Sequence, residues 1–181
     1  MLEIRLGTPQ DFDAVLDFYT KMIDQMKGTE FDVLWEHGVH PSPEFLQTSL
    51  EHDRVYLGWV YDEISGVEEL ACALILNSQG AEGYDKVSWD VDVSPDQMGV
   101  LHVVATLPKY HGQGFARRLV QATIDAEREL GTHTLRLDTF PHNVRGKGLY
   151  ESVGFVHKGD VVLHYPALGD ITLSMYELPL V

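Results

Sequence analysis

Hydrophobic residues recur at helical spacing in several segments of the chain. Over 8–28 they fall three or four residues apart behind Thr8-Pro9, a pair typical of a helix start. Ser42-Pro43 predicts the start of a second helix, and residues 115–130 have a clear amphipathic pattern. A short fourth helix is predicted over 143–152.

Alternating and continuous apolar runs predict the strands of the protein. The predicted strands cover 2–6, 55–61, 70–76, 101–106, 134–140, 155–164 and 171–178, and an acidic turn over 62–69 joins the second to the third. Within 78–100, which glycine and proline interrupt, only 86–91 has strand-like content. Because helices and strands are mixed along the chain, we expect a single domain over 1–181, of α/β (α+β) class.

The composition is that of a globular protein with an unusual charge. The 181 residues carry 13 Lys+Arg against 28 Asp+Glu, a net charge of −15. Such an acidic chain is not expected to bind nucleic acid or an anionic membrane surface. Its single cysteine, Cys72, excludes an internal disulfide, and no apolar run is long enough to span a bilayer. With no signal-peptide pattern at the N-terminus, we expect a cytoplasmic protein.

The charge is unevenly distributed along the chain. Residues 101–158 contain 8 Lys+Arg and 5 acidic residues, a net charge of +3, so the remainder carries −18. One explanation is chance variation on a solvated surface. The other is that residues 101–158 bind an anion.

A predicted strand, a glycine-rich turn and a helix start follow one another in LHVVATLPKYHGQGFARRLVQ, residues 101–121. Gly112 and Gly114 can adopt backbone angles that other residues resist, and they allow a ligand to approach closely. The first amides of a helix lack an internal partner and carry partial positive charge, which suits a pyrophosphate. Arg117 and Arg118 follow within reach of outlying phosphates. The nucleotide-triphosphate loop and the dinucleotide fingerprint are excluded, because their Lys-Ser/Thr pair and third glycine are missing.

Two motifs, in order, carry a family resemblance. HGQGFA resembles the Q/R-x-x-G-x-G/A signature of the GNAT N-acetyltransferase superfamily. LRLDTFPHNVRGKGLYESVGF resembles the second conserved stretch of that superfamily, about thirty residues further on, with Asn followed by LYE-x-x-GF. The chain looks like a member of a bacterial subgroup whose substrates are mostly unassigned. The resemblance implies a mixed central sheet of six to seven strands flanked by about four helices.

The resemblance also implies that the protein binds acetyl-CoA as acetyl donor, in a V-shaped gap between the strands 101–106 and 134–140. The first strand would contact the pantetheine arm and the amides of the glycine turn the pyrophosphate. The implied cofactor-binding residues are Val104, Thr106, His111, Gly112, Gln113, Gly114, Phe115, Ala116, Arg117 and Asn143. From the residues alone, Asn143 also fits a simple helix cap.

The family pattern implies that Tyr150 protonates the departing CoA thiolate, whereas the alternative is an aromatic residue of the core. Transfer to an alkyl amine, whose pKa is roughly 10.4, needs a base. Where GNAT enzymes often have Glu or Asp, this chain has His102, which is either that base or a structural histidine. Other pocket candidates are Trp35, Glu36, His37, His40, Trp89 and Asp90. No third ligand accompanies His37 and His40, so no metal is expected.

Two features depart from the family pattern. His111 stands where Gln or Arg is usual, so a fixed positive charge is missing there. The predicted helix that bears Tyr150 contains Gly146 and Gly148, and interior helix glycines cost about 1 kcal/mol each relative to Ala. Either that helix is loose, or another group approaches it closely.

The resemblance, carried by the two motifs in order, implies an acetyl-CoA-dependent N-acetyltransferase acting on a primary amine of a small molecule or peptide. The alternative is a non-catalytic acyl-CoA-binding or regulatory module on the same fold, which the missing acidic residue at the usual base position favours. The acidic remainder of the chain favours a cationic acceptor. A homodimer is expected only because it is the commonest closed assembly.

Overall fold

The computed structural model describes residues 1–30, 32–64, 66–165 and 169–181. The helices in this part of the chain are α1 Phe12–Met26, α2 Pro43–His52, α3 Phe115–Glu129 and α4 Val144–Ser152. The strands are β1 Leu2–Leu6, β2 Arg54–Asp62, β3 Val67–Asn77, β4 Met98–Thr106, β5 Thr134–Thr139, β6 Val156–Tyr165 and β7 Gly169–Pro179. None of these described helices combines the length and the apolar character needed to cross a bilayer.

The strands form a mixed sheet in the order β1-β2-β3-β4-β5-β7-β6. Strand β2 pairs antiparallel with β1 and β3, and β7 pairs antiparallel with β5 and β6. The parallel ladder between β4 and β5 joins Met98–Leu101 to Thr134–Leu137, and β4 continues to Thr106. Seven strands and four helices in the described residues confirm the predicted fold class.

Contacts divide the chain into two compact units, residues 1–76 with 102–123 and residues 77–101 with 124–181. In the first unit, α1 and α2 pack on β2, β3 and the second half of β4. The large buried side chains of this core include Phe18, Tyr19, Met22, Leu46, Leu57 and Ile75. The predicted start at Thr8-Pro9 opens a 3₁₀ turn, Pro9–Asp11, and α1 itself begins only at Phe12. The Asp11 carboxylate accepts hydrogen bonds from both the N–H and the hydroxyl of Thr8 at this start.

In the second unit, a buried ion pair joins β5 to β7. The Arg136 guanidinium donates to Glu177 at 3.0 Å, and both side chains are almost fully buried. Arg136 also donates to the Val91 carbonyl at 2.6 Å and lies 4.3 Å from the centre of the Trp89 ring. Glu177 accepts from the Asp90 N–H at 2.6 Å. The ion pair therefore anchors the backbone of 89–91 in this unit.

The structure departs from the hydrophobic pattern at two places. Residues 86–91, the stretch with strand-like content, form no strand, because backbone groups of Asp90 and Val91 hydrogen-bond to side chains of β5 and β7. The turn after β2 is shorter than 62–69, because Asp62 already pairs with Val67 in the ladder. Ser65, which lies within this turn, is outside the described residues.

Helix α4 contains two glycines in different surroundings. The Asn143 side chain caps the helix by accepting from the Gly146 N–H at 3.0 Å. A Cβ at Gly146 would overlap the Asn143 side-chain amide. Gly148 is exposed, and no neighbouring group lies within 4 Å of the point that a Cβ would occupy. Gly146 therefore permits the close approach of the Asn143 side chain, in agreement with the expectation that another group approaches this helix. No such group explains Gly148.

Gly148→Ala is expected to raise the free energy of unfolding by up to about 1 kcal/mol, because Ala loses less backbone entropy in a helix. Gly146→Ala is expected to give no gain or a loss, because the Asn143 cap would have to move. Urea unfolding of the two variants beside the wild type measures both effects. An equal gain in both variants would contradict the role assigned to Gly146.

Candidate functional site

The glycine-rich turn of the first unit is open and has an unusual backbone. Gly112 has φ 77° and Gly114 has φ 74°, both in the left-handed region that side chains other than glycine resist. No heavy atom lies within 4 Å of the point that a Cβ would occupy at either glycine. Backbone conformation, and not lack of space, therefore accounts for glycine at both positions.

Helix α3 begins directly after this turn, at Phe115. The Arg118 N–H makes the first helical hydrogen bond, to the Gly114 carbonyl at 3.0 Å. The amides of Phe115 and Ala116 precede that bond and have no carbonyl one turn earlier in the helix. Together with the positive end of the helix dipole, they make this turn suited to a phosphate group.

Strand β3 anchors the polypeptide that leads into the turn. The Leu107 N–H donates to the Ala71 carbonyl at 2.9 Å, and the Tyr110 hydroxyl donates to Glu69 at 2.6 Å. Lys109 forms an ion pair with the same Glu69 carboxylate. Burial raises the pKa of Glu69, but the bonds from Lys109 and Tyr110 outweigh it and leave the pKa below its ordinary value. Sequence reasoning missed Glu69, because no local pattern links it to the turn.

The side chains predicted to flank the phosphate site differ in what they contact. The His111 Nε2 lies 3.0 Å from the Thr106 carbonyl oxygen, so this ring contacts the backbone of the turn. Arg118 donates to the Leu2 carbonyl at 3.2 Å, which directs it toward β1. Arg117 and Gln113 are exposed, and the Phe115 ring packs 5.4 Å from Tyr110. Both arginines are exposed.

The second half of β4 lies in the same unit as the turn. His102, Val104 and Thr106 are partly buried, and the His102 ring centre is 6.4 Å from that of Phe45 in α2. The Thr106 Oγ1 is buried without a hydrogen-bond partner in the described part of the chain. An unpaired buried hydroxyl is costly, so a polar ligand group at this strand would stabilise it. Thr106 thus fits a ligand that offers amide or carbonyl groups.

Strand β4 also contains a strained residue. Val103 has φ 45°, in the left-handed region, and its carbonyl oxygen accepts a hydrogen bond from the Tyr19 hydroxyl at 2.8 Å. Val103 and Tyr19 are both buried. Sequence reasoning gave no indication of this contact, because the two residues are 84 positions apart.

Tyr150 lies on the buried face of α4 in the second unit. Its ring centre is 6.0 Å from that of Phe155 and 6.4 Å from that of Tyr176. Burial, with a contribution from the negative charge of Asp138, raises the pKa of Tyr150 well above its ordinary value. The hydroxyl is therefore protonated at neutral pH. The burial of Tyr150 is consistent with an aromatic residue of the core, and its protonated hydroxyl is consistent with a general acid.

Asp138 of β5 is a candidate that sequence reasoning missed. The Tyr84 hydroxyl donates to its carboxylate at 3.0 Å. Burial raises the pKa of Asp138 above its ordinary value, although the bond from Tyr84 lowers it in part. A carboxylate with a raised pKa is a stronger base than an exposed one. The only sequence signal was an acidic residue near the end of an apolar strand.

Asn143 acts as the helix cap that its position in the sequence allowed. Besides accepting from Gly146, it donates through Nδ2 to the Thr139 hydroxyl at 3.0 Å. The cap thereby connects the end of β5 to the start of α4. Within the second unit, Asn143 and Tyr150 lie on one element, α4, which follows directly from β5.

The other pocket candidates divide between the two units. Trp89 and Asp90 contact the Arg136–Glu177 pair, which gives them a structural role in the second unit. In the first unit the Trp35 ring lies 6.2 Å from Tyr19 and 5.4 Å from His40. His37 contacts Asp24 at 2.7 Å. Across the described residues no cluster of three or more His, Cys, Asp or Glu side chains has the geometry of a metal site.

Comparisons with known proteins identify the family. The profile of the Acetyltransferase (GNAT) family matches residues 16–155. The uncharacterized N-acetyltransferase YycN of Bacillus subtilis is 33% identical over 69 residues, which cover 38% of this chain and 44% of YycN. N-alpha-acetyltransferase 30 of Schizosaccharomyces pombe is 26% identical over 122 residues, 67% of this chain and 64% of the relative. The chain thus spans less than two thirds of either curated relative.

Solved structures agree with this fold. The crystal structure of Arabidopsis thaliana NAA60 in complex with acetyl-CoA superimposes with a TM-score of 0.71 at 14% identity, covering 99% of both chains. The profile match extends over most of the chain and includes both motifs that suggested the resemblance. The chain therefore belongs to the acetyltransferase (GNAT) family.

Proposed function

We propose that the protein is an acetyl-CoA-dependent N-acetyltransferase that acetylates a primary amine of a small molecule or peptide. The observation that carries this proposal is the open turn at the start of α3, with left-handed Gly112 and Gly114, in a chain of the GNAT family. The acetyl-CoA bound to the Arabidopsis protein supports the same donor here. The N-acetyltransferase names of the two curated relatives support the same chemistry.

Residues of β4 and of the glycine turn, both in the first unit, would hold much of the donor. Turn amides would bind the pyrophosphate, and the backbone of β4 with the unpaired Thr106 hydroxyl would bind the amide groups of the pantetheine arm. The full set proposed to bind acetyl-CoA is Val104, Thr106, His111, Gly112, Gln113, Gly114, Phe115, Ala116, Arg117 and Asn143. Acetyl-CoA, when bound, supplies an acetyl group already activated as a thioester. Much of the rate then comes from holding amine and thioester together.

Tyr150 is proposed as the acid. Its proton would pass to the sulfur as the carbon–sulfur bond breaks and the carbon–nitrogen bond to the amine forms. The raised pKa of Tyr150 keeps that proton on the hydroxyl at neutral pH, which this role requires.

Tyr150→Phe is expected to lower kcat by roughly 10²- to 10⁴-fold, the usual contribution of a general acid, with little change in KM for acetyl-CoA. Thiol release from acetyl-CoA across a panel of amines measures this. Tyr176→Phe is the matched control, because it removes a buried tyrosine hydroxyl that donates to Glu151 at 2.9 Å. The control should keep near wild-type turnover, and a wild-type kcat in Tyr150→Phe would exclude Tyr150 as the acid.

Two residues are proposed as alternative bases for the amine. His102 has a side chain whose ordinary pKa lies near neutrality, and it is partly buried beside Phe45. Asp138 has a carboxylate whose pKa burial raises. Because the folded protein holds the Asp138 proton more tightly than the unfolded chain does, ionising this group at neutral pH costs folding stability. An ionisable side chain that is retained although it lowers folding stability fits a functional role.

Asp138→Asn is expected to raise the free energy of unfolding at pH 7, and the gain should fade below about pH 3.9, where both states are protonated. If Asp138 is the base, kcat/KM falls by roughly 10²- to 10⁴-fold in the same variant. Urea unfolding at several pH values and steady-state kinetics measure the two effects. A more stable variant with wild-type kcat/KM would exclude Asp138, and His102→Gln should then lose the activity instead.

We also propose a cationic acceptor, because the chain outside 101–158 carries a net charge of −18. For a diamine or polyamine, kcat/KM is expected to fall as salt is raised from 50 mM to 500 mM, since the screening length shortens below about 10 Å. A zwitterionic amino acid serves as the control, with little salt dependence. Equal salt dependence for both acceptors would contradict electrostatic steering.

The alternative function is a non-catalytic acyl-CoA-binding module. Calorimetry separates it from the enzyme, because binding of acetyl-CoA without thiol release on any amine of the panel would favour the module. The homodimer and the cytoplasmic location stay predictions from the sequence. Sedimentation of the purified protein tests the first, and fractionation of the source cells tests the second.

A further inference from the structure

Val103 in the middle of β4 has a backbone conformation that a β-branched residue rarely adopts. Its φ of 45° lies in the left-handed region, where the side chain crowds the following carbonyl. Such strain persists only where surrounding contacts impose it, and it is concentrated at functional sites. Val103 is buried in the core of the first unit, so the imposing contact has to come from that core.

The Tyr19 hydroxyl of α1 supplies this contact. It donates to the Val103 carbonyl oxygen at 2.8 Å in a buried setting. The Tyr19 ring is held in turn by Phe18, 5.0 Å away between ring centres, and by Trp35 at 6.2 Å. Burial raises the pKa of Tyr19 far above its ordinary value, so the hydroxyl always has a proton to donate. Helix α1 therefore holds the Val103 carbonyl in one direction.

The direction of this carbonyl determines that of the next amide. In a trans peptide the carbonyl and the following N–H lie in one plane and point to opposite sides. Because Tyr19 draws the Val103 carbonyl toward α1, the Val104 N–H points away from α1. Val104 is only partly buried, unlike its buried neighbours Val103 and Ala105.

We propose that Tyr19 is a positioning residue for acetyl transfer: its hydroxyl holds Val103 so that the Val104 N–H donates a hydrogen bond to the acetyl carbonyl of the bound donor. This inference rests on the proposed function. A backbone donor fixed before the reaction polarises the carbonyl without any cost of reorganisation. Tyr19 touches no reacting atom and acts only through the peptide that it orients.

Tyr19→Phe keeps the ring packing and removes the hydroxyl. Without it the strained peptide is free to relax, and the Val104 amide loses its fixed direction. Calorimetry with CoA and with acetyl-CoA measures the effect in the absence of turnover. The preference for acetyl-CoA over CoA is expected to fall by about fivefold, the worth of one hydrogen bond, while the affinity for CoA stays unchanged. Tyr56→Phe, which removes another buried tyrosine hydroxyl of the same unit, should keep the wild-type preference.

Infrared spectra of acetyl-CoA labelled with ¹³C at the carbonyl give an independent readout. The bound carbonyl band should lie below that of free acetyl-CoA in the wild type and return toward it in Tyr19→Phe. An unchanged band in the variant, or an equal loss of affinity for CoA and acetyl-CoA, would overturn the positioning role. A wild type that binds acetyl-CoA with no change in the band overturns it as well, and leaves the proposed function intact.

Nuclear magnetic resonance of the wild type extends the test to the case in which Tyr19→Phe does not fold. The Val104 amide proton should move downfield when acetyl-CoA is added and stay in place when CoA is added. Equal responses to the two ligands would overturn the inference. A wild type that binds neither ligand would instead refute the proposed function, and this inference with it.

Discussion

The buried ion pair between Arg136 and Glu177 joins β5 to β7 in the second unit, and Asp138, one of the two proposed bases, extends from β5. Two charges removed from water persist only when their remaining hydrogen bonds are satisfied, and loss of either partner costs about 3–5 kcal/mol. Here the Thr134 hydroxyl, the Trp89 ring and the backbone of 90–91 supply the additional contacts. Asp138 lies two residues beyond Arg136 on the same side of β5. Trp89, which packs on Arg136, donates to the Tyr84 carbonyl, and the Tyr84 hydroxyl donates to Asp138. The pKa of Asp138 therefore depends on how the segment that contains Tyr84 and Trp89 packs on β5.

In the first unit, too, side chains distant in sequence set the backbone that would meet the donor. Glu69 of β3 holds Lys109 and Tyr110 in front of the glycine turn, and Tyr19 of α1 holds the Val103 carbonyl. In both places the element proposed to face the ligand is polypeptide backbone, whose direction cannot be encoded by its own side chains alone. The surrounding core supplies that direction.

The sequence was informative wherever the determining signal is local. The turn at 112–114 and the Asn143 cap depend on residues within a few positions of each other, and both lie where the motifs predicted. Asp138 and Val103, by contrast, have partners 54 and 84 positions away, and no spacing pattern relates such pairs. Residues 86–91 have strand-like content but form no strand, for a related reason. Their apolar composition suits a strand, but tertiary hydrogen bonds to β5 and β7 determine the outcome.

The glycines at 112, 114 and 146 limit amino-acid substitution in two different ways. At Gly112 and Gly114 the surroundings are open and the backbone is left-handed, so the volume of a replacement matters little and its conformational preference decides. Asn, which visits that region most readily among the other residues, would be the mildest replacement. At Gly146 the limit is the adjoining Asn143 amide, so tolerance falls with the first added carbon. A survey of folding stability would therefore be nearly flat with side-chain size at the turn and steep at the cap.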